Sequence, residues 1–111
     1  MAVSSVTASE AITLYENGAW LLDVREQDEW DRGHAPSAHL VPLSELGARV
    51  AEIPIEQQVV VVCLGGARSL RAATALAESG VDAVNVSGGM LAWSAAAGPL
   101  VSEGTDAARV E

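Results

Sequence analysis

Four consecutive valines, Val59 to Val62, run into the only cysteine of the chain, Cys63, and then into Leu64, Gly65 and Gly66. A run of β-branched residues without polar alternation is a strand buried on both faces, and such a strand belongs in the middle of a sheet covered by helices. The spacing predicts a central strand over residues 58–63. The glycine pair then turns the chain into an alanine-rich helix over 69–78, closed by Gly80.

The rest of the chain follows the same alternation. Thr7 with Glu10 three residues later reads as a capping box, opening a helix that runs to Asn17 and stops at Gly18. Residues 20–24 form a short apolar strand, 26–32 a helical turn or two, and 33–36 a loop. Residues 38–41 form a further strand, leading through Pro42 and Leu43 to a short helix capped by Ser44 and reaching Val50. Residues 83–86 make another strand, and Gly88 and Gly89 open a last helix over 90–96. Strands alternating with helices imply an α/β fold with a mainly parallel sheet and helices on both faces. Residues 1–100 form one domain, and the polar, small-residue segment 101–111 is expected to be a loosely ordered tail.

The 111 residues carry six arginines, no lysine and a formal charge of −9. Such a surface repels phosphate backbones and anionic lipid, which argues against nucleic acid and membrane as partners. No apolar run approaches the ~20 residues needed to cross a bilayer, and the opening residues lack a basic segment and an apolar signal core, so the expected location is the cytoplasm. One cysteine and two histidines make a poor metal set.

In parallel α/β sheets ligands bind beyond the carboxyl ends of the strands, which is where Cys63 falls. A free thiol with a pKa of about 8.5 is mostly protonated near neutrality and needs help to act as a nucleophile. Three features after Cys63 favour an anion at one point: a glycine turn that can direct backbone N–H groups inward, a helix amino terminus, and the guanidinium of Arg68. Cysteine at a strand end is also a common small core residue, and the combination within seven residues is what points to nucleophilic chemistry.

The segment Cys63, Leu64, Gly65, Gly66, Ala67, Arg68, Ser69 resembles the active loop of single-domain rhodaneses, sulfurtransferases that carry sulfur as a cysteine persulfide. Leu21 to Glu26, with Glu29, Trp30, Gly33 and His34, resembles the amino-terminal signature of that family, and Gly88, Gly89, Met90, Ala92 and Trp93 its carboxyl-terminal one. The resemblance spans residues 5–100. It implies a single compact rhodanese-like domain with a five-stranded, mostly parallel sheet. It implies Cys63 as sulfur carrier, the amides of Leu64, Gly65, Gly66, Ala67, Arg68 and Ser69 as its cradle, and Arg68 as a group that orients an anionic donor or holds the loop. Asp23 and Arg25 are expected to support the loops in a charged network with Glu29, His34 to anchor its turn, and Trp30 and Trp93 to lie in the core.

The reaction so implied moves sulfur from thiosulfate or a persulfide to cyanide, a thiol or a protein acceptor, without metal or organic cofactor. Many relatives carry a basic residue where this chain has Leu64, which brings protein persulfides and neutral thiol-bound sulfur forward as donors. Two other readings compete. A relay module would exchange sulfur with a dedicated protein and turn over small donors poorly. Phosphatases and arsenate reductases use a similar loop, with one residue more between cysteine and arginine than the four found here.

Overall fold

The computed structural model describes residues 3–111. Five strands form one sheet: β1 (Ser5–Val6), β2 (Trp20–Asp23), β3 (His39–Leu40), β4 (Val59–Val62) and β5 (Ala83–Val86), in the order β1-β5-β4-β2-β3. Every neighbouring pair is parallel. The valine strand is central, as its uniform burial requires. Alternation along it divides the core: Val59, Val61 and Cys63 face one side with Leu22, Val24, Ala72, Ala73 and Leu76, and Val60 and Val62 face the other with Ala11, Leu21, Met90 and Trp93.

The helices are α1 (Ala8–Glu16), α2 (Gln27–Arg32), α3 (Leu46–Arg49), α4 (Ala67–Glu78) and α5 (Gly89–Ala95). The first and last pack together over the Val60 face, with Tyr15 edge-on to Trp93 at 5.3 Å, while α3 and α4 cover the other face. The capping box at Thr7 forms with both of its hydrogen bonds, Glu10 N–H to Thr7 Oγ1 at 3.1 Å and Thr7 N–H to Glu10 Oε1 at 2.8 Å. No helix among the described residues is long and apolar enough to cross a membrane.

Three expectations need correction, and one strand is not among them. The edge strand β1 does not stand out from periodicity because it is only two residues long. Ser44 is not a cap: it lies inside a 3-10 turn, Leu43–Glu45, that precedes α3 and follows Pro42. Helix α4 starts at Ala67, two residues before the expected Ser69, because Gly66 at φ 112° turns the chain directly into it. The tail is not loose. Val101 pairs with His34 in an antiparallel bridge, Glu103 N–H donates to Asp31 O at 3.0 Å, and Arg109 N–H donates to Arg32 O at 3.0 Å. Gly33 permits this docking, because a Cβ there would lie 2.8 Å from the Arg109 backbone nitrogen.

Candidate active site

Cys63 follows the last residue of the central strand, at the carboxyl end of the sheet, with 1% of its surface exposed. Gly66 donates its backbone N–H to Cys63 Sγ at 3.1 Å, and the Ser69 hydroxyl lies 3.2 Å from the sulfur. The left-handed backbone of Gly66 makes this possible, since it reverses the chain within three residues of the cysteine. Burial pushes the Cys63 thiol up. Hydrogen bonds from the Ser69 hydroxyl and from the amides of Ser69, Gly66 and Arg68 outweigh burial, and the thiol sits below its ordinary value.

Of the expected cradle, then, Gly66 bonds the sulfur through its amide and Ser69 through its hydroxyl, with Arg68 between them in the first turn of α4. Gly65 is exposed and Leu64 half-exposed on the outer turn, and Ala67 opens the helix. The carbonyls of Cys63 and Leu64 point the other way: Met90 N–H donates to Cys63 O at 2.7 Å and Leu91 N–H to Leu64 O at 3.1 Å. These are first-turn amides of α5 that have no partner within their own helix. The two glycine-containing signatures, far apart in sequence, are halves of one structure.

Arg68 does not reach over the sulfur unattended. Its two terminal nitrogens donate to the two carboxylate oxygens of Glu29 at 2.8 and 2.9 Å. This pairing holds the Glu29 carboxyl below the usual carboxylate range and raises Arg68. Asp23 and Arg25 bond to each other: Arg25 Nη2 to Asp23 Oδ2 at 2.7 Å and Nε to Oδ1 at 3.0 Å, with both residues fully buried. Arg25 also donates to Gly33 O at 2.8 Å and Glu29 O at 3.4 Å, which ties it to the middle and the carboxyl end of α2. His34 is buried, its ring stacked on Trp30 at 3.6 Å and its nitrogens facing Ala35 O and the Glu103 carboxylate at 3.0 and 2.8 Å. Trp30 is therefore a half-buried stacking partner of His34 and not a core residue, whereas Trp93 is completely buried.

Sequence reasoning passed over Asn85. It is a buried amide in the otherwise apolar β5, and its Oδ1 accepts the Ser69 hydroxyl at 2.6 Å. Nδ2 faces Ser5 Oγ at 3.4 Å. A polar side chain in the middle of an apolar strand was the available signal, since such a group stays buried only with a partner.

Comparison with known proteins places this geometry in context. The family model of the rhodanese-like domain matches residues 7–96. The chain is 39% identical over 116 aligned positions to thiosulfate sulfurtransferase 18 of Arabidopsis thaliana, covering 91% of this chain and 85% of that protein. It is 36% identical over 83 residues to a sulfurtransferase of Allochromatium vinosum, covering 74% of this chain and 78% of the other. Among solved structures, a rhodanese-related protein from Thermoplasma volcanium superposes with a TM-score of 0.81 at 32% identity, over 88% of this chain and 97% of that one.

Proposed function

Because the chain belongs to the rhodanese-like domain family, we propose that it transfers sulfane sulfur through a persulfide on Cys63. The Cys63 thiolate attacks the outer sulfur of a donor, either thiosulfate or a persulfide. The S–S bond of the donor breaks and its electron pair leaves with sulfite or the thiolate. A thiol, cyanide or protein acceptor then attacks the outer sulfur of the Cys63 persulfide, and the Cys63 thiolate departs. No net oxidation occurs across the two steps, so the chain needs neither metal nor organic cofactor for them.

The observation behind this reading is the convergence of the Gly66 amide and the Ser69 hydroxyl, at the amino end of α4, on Sγ of a thiol that burial alone would keep protonated. Those donors favour the thiolate before attack and again as it leaves. Phosphoryl transfer fits less well. It uses an arginine whose N–H fork is free for phosphate oxygens, and here both terminal nitrogens of Arg68 are held by Glu29. Sulfur relay to a protein is the second reading, favoured by the half-exposed Leu64 and the exposed Leu91 at the loop.

Intact mass after incubation with thiosulfate, and separately with a thiol persulfide, tests the proposal. A gain of one sulfur atom is expected, reversed by cyanide or thiol and missing in Cys63→Ser. Absence of that adduct with every sulfane donor overturns it.

A further inference from the structure

The mouth of the Cys63 loop is short of available positive charge. Among the described residues, Arg25, Arg32, Arg49, Arg68 and Arg109 each have a carboxylate within 4.0 Å, leaving Arg71, a turn further along α4. Arg68 is the arginine of the loop itself, and its charge senses that of Cys63. Its pairing with Glu29 is bidentate, the arrangement that restricts a guanidinium most.

Glu29 is itself held in place. Its side chain is 14% exposed, Oε1 accepts the Glu26 N–H at 3.0 Å in the capping box of α2, and its carbonyl accepts from the buried Arg25. Arg68 lies in the first turn of α4, where the helix dipole disfavours a cation, so a carboxylate partner stabilises it there. The half-exposed and exposed side chains next in the loop and at its α5 contact are apolar. Leu64 follows the cysteine directly, and Leu91 is 51% exposed and tied to Leu64 through the backbone.

We propose that Glu29 is a specificity-determining residue, which occupies Arg68 so that the site prefers a thiol-bound persulfide over a dianionic donor such as thiosulfate. The inference rests on Cys63 being the sulfur carrier. A dianion approaching the loop would have to compete with a fixed carboxylate for Arg68, the arginine nearest in sequence to Cys63, on a chain whose formal charge is −9. A thiol persulfide carries at most one charge on its sulfur and can place its organic group on the leucine rim.

Rates of Cys63 loading, followed by intact mass with thiosulfate and with the persulfide of 2-mercaptoethanol, separate the possibilities. In Glu29→Gln the ratio of thiosulfate to persulfide rate should rise about fivefold or more, as a unit charge a few ångströms away becomes available. Adding Arg68→Gln should return the ratio to near the wild-type value. An unchanged or lower ratio in Glu29→Gln overturns the role of Glu29 while leaving the sulfur carrier intact. Should Glu29→Gln load with neither donor, single Arg68→Gln decides: a selective loss of the thiosulfate rate would mean that Arg68 already serves the anion and overturns the proposal, and an unchanged ratio supports it. A wild-type chain that loads with neither donor refutes the carrier reading and this inference with it.

Discussion

Met90 donates its amide to the carbonyl oxygen of Cys63 at 2.7 Å, so the amino end of the last helix grips the backbone of the nucleophile. Gly89 stands in the seam between them. A Cβ there would fall against the carbonyl oxygens of Cys63 and Leu64 and 2.7 Å from the Leu64 carbonyl carbon. Its φ of 56° favours glycine in its own right, and the close approach adds to that demand. Gly89→Ala should cost about 1–3 kcal/mol by overpacking, seen as a lower urea midpoint. The same variant should alkylate Cys63 more slowly with iodoacetamide, because the amides no longer converge on the sulfur. Unchanged stability and labelling would show that α5 can retreat without disturbing the loop.

Ser69 has one hydroxyl hydrogen and three acceptors within reach of it, Asn85 Oδ1 at 2.6 Å and, at 3.2 Å each, Cys63 Sγ and Gly66 O. When the thiol is protonated the hydrogen can serve Asn85, and when the thiolate forms it can turn to the sulfur. Ser69→Ala removes that option while keeping the Ser69 backbone donor. The thiol should then titrate higher, and alkylation at neutral pH should slow by about tenfold, the worth of one hydrogen bond to a charged group. The check is a pH profile of iodoacetamide labelling: its midpoint moves up in Ser69→Ala, and a profile superimposable on wild type would contradict the role given to the hydroxyl.

The lowered position of the Cys63 thiol also appears in stability. The folded state releases this proton at lower pH than the unfolded chain does, whose thiol titrates near 8.5. The resulting stabilisation is fully present above the unfolded value and fades as pH falls through the folded one. Wild type minus Cys63→Ala, compared by urea unfolding across neutral to alkaline pH, should therefore increase with pH and level off above about 9. The packing lost in the alanine variant adds an offset that does not vary with pH. A difference that falls with rising pH would mean that the thiolate is not stabilised in the fold.

Much of this architecture is legible in local pattern. The valine run announces the central strand because burial on both faces leaves no other composition, and Thr7 with Glu10 announces the first helix through a cap that involves only neighbours. Long-range polar pairing is not legible in this way. Glu29 and Arg68 are 39 residues apart and Ser69 and Asn85 are 16 apart, and only the parallel order of β2, β4 and β5 brings their elements together. The tail misleads for the same reason. Its composition is that of a mobile segment, yet its backbone pairs with 31–34 through hydrogen bonds that carry no side-chain signature.

Asp23 and Arg25 show what such a pairing requires when it is fully buried. Arg25 N–H and Nε both donate to Asp23 Oδ1, at 3.1 and 3.0 Å, Nη2 donates to Oδ2 and to the carbonyl of Gly33, and Nη1 donates to the carbonyl of Glu29. Removing one partner leaves the other charge buried without compensation, so Asp23→Leu should lose about 3–5 kcal/mol in urea unfolding. Asp23→Leu with Arg25→Met replaces both charges by apolar groups of similar length and should be clearly less destabilised than the single variant. The recovery should stop short of wild type, since methionine cannot bond the carbonyls of Gly33 and Glu29 that set the α2 segment. If the double variant is instead as unstable as the sum of its parts, the two side chains act independently. The contacts between them would then not explain why this pair sits at the carboxyl end of β2.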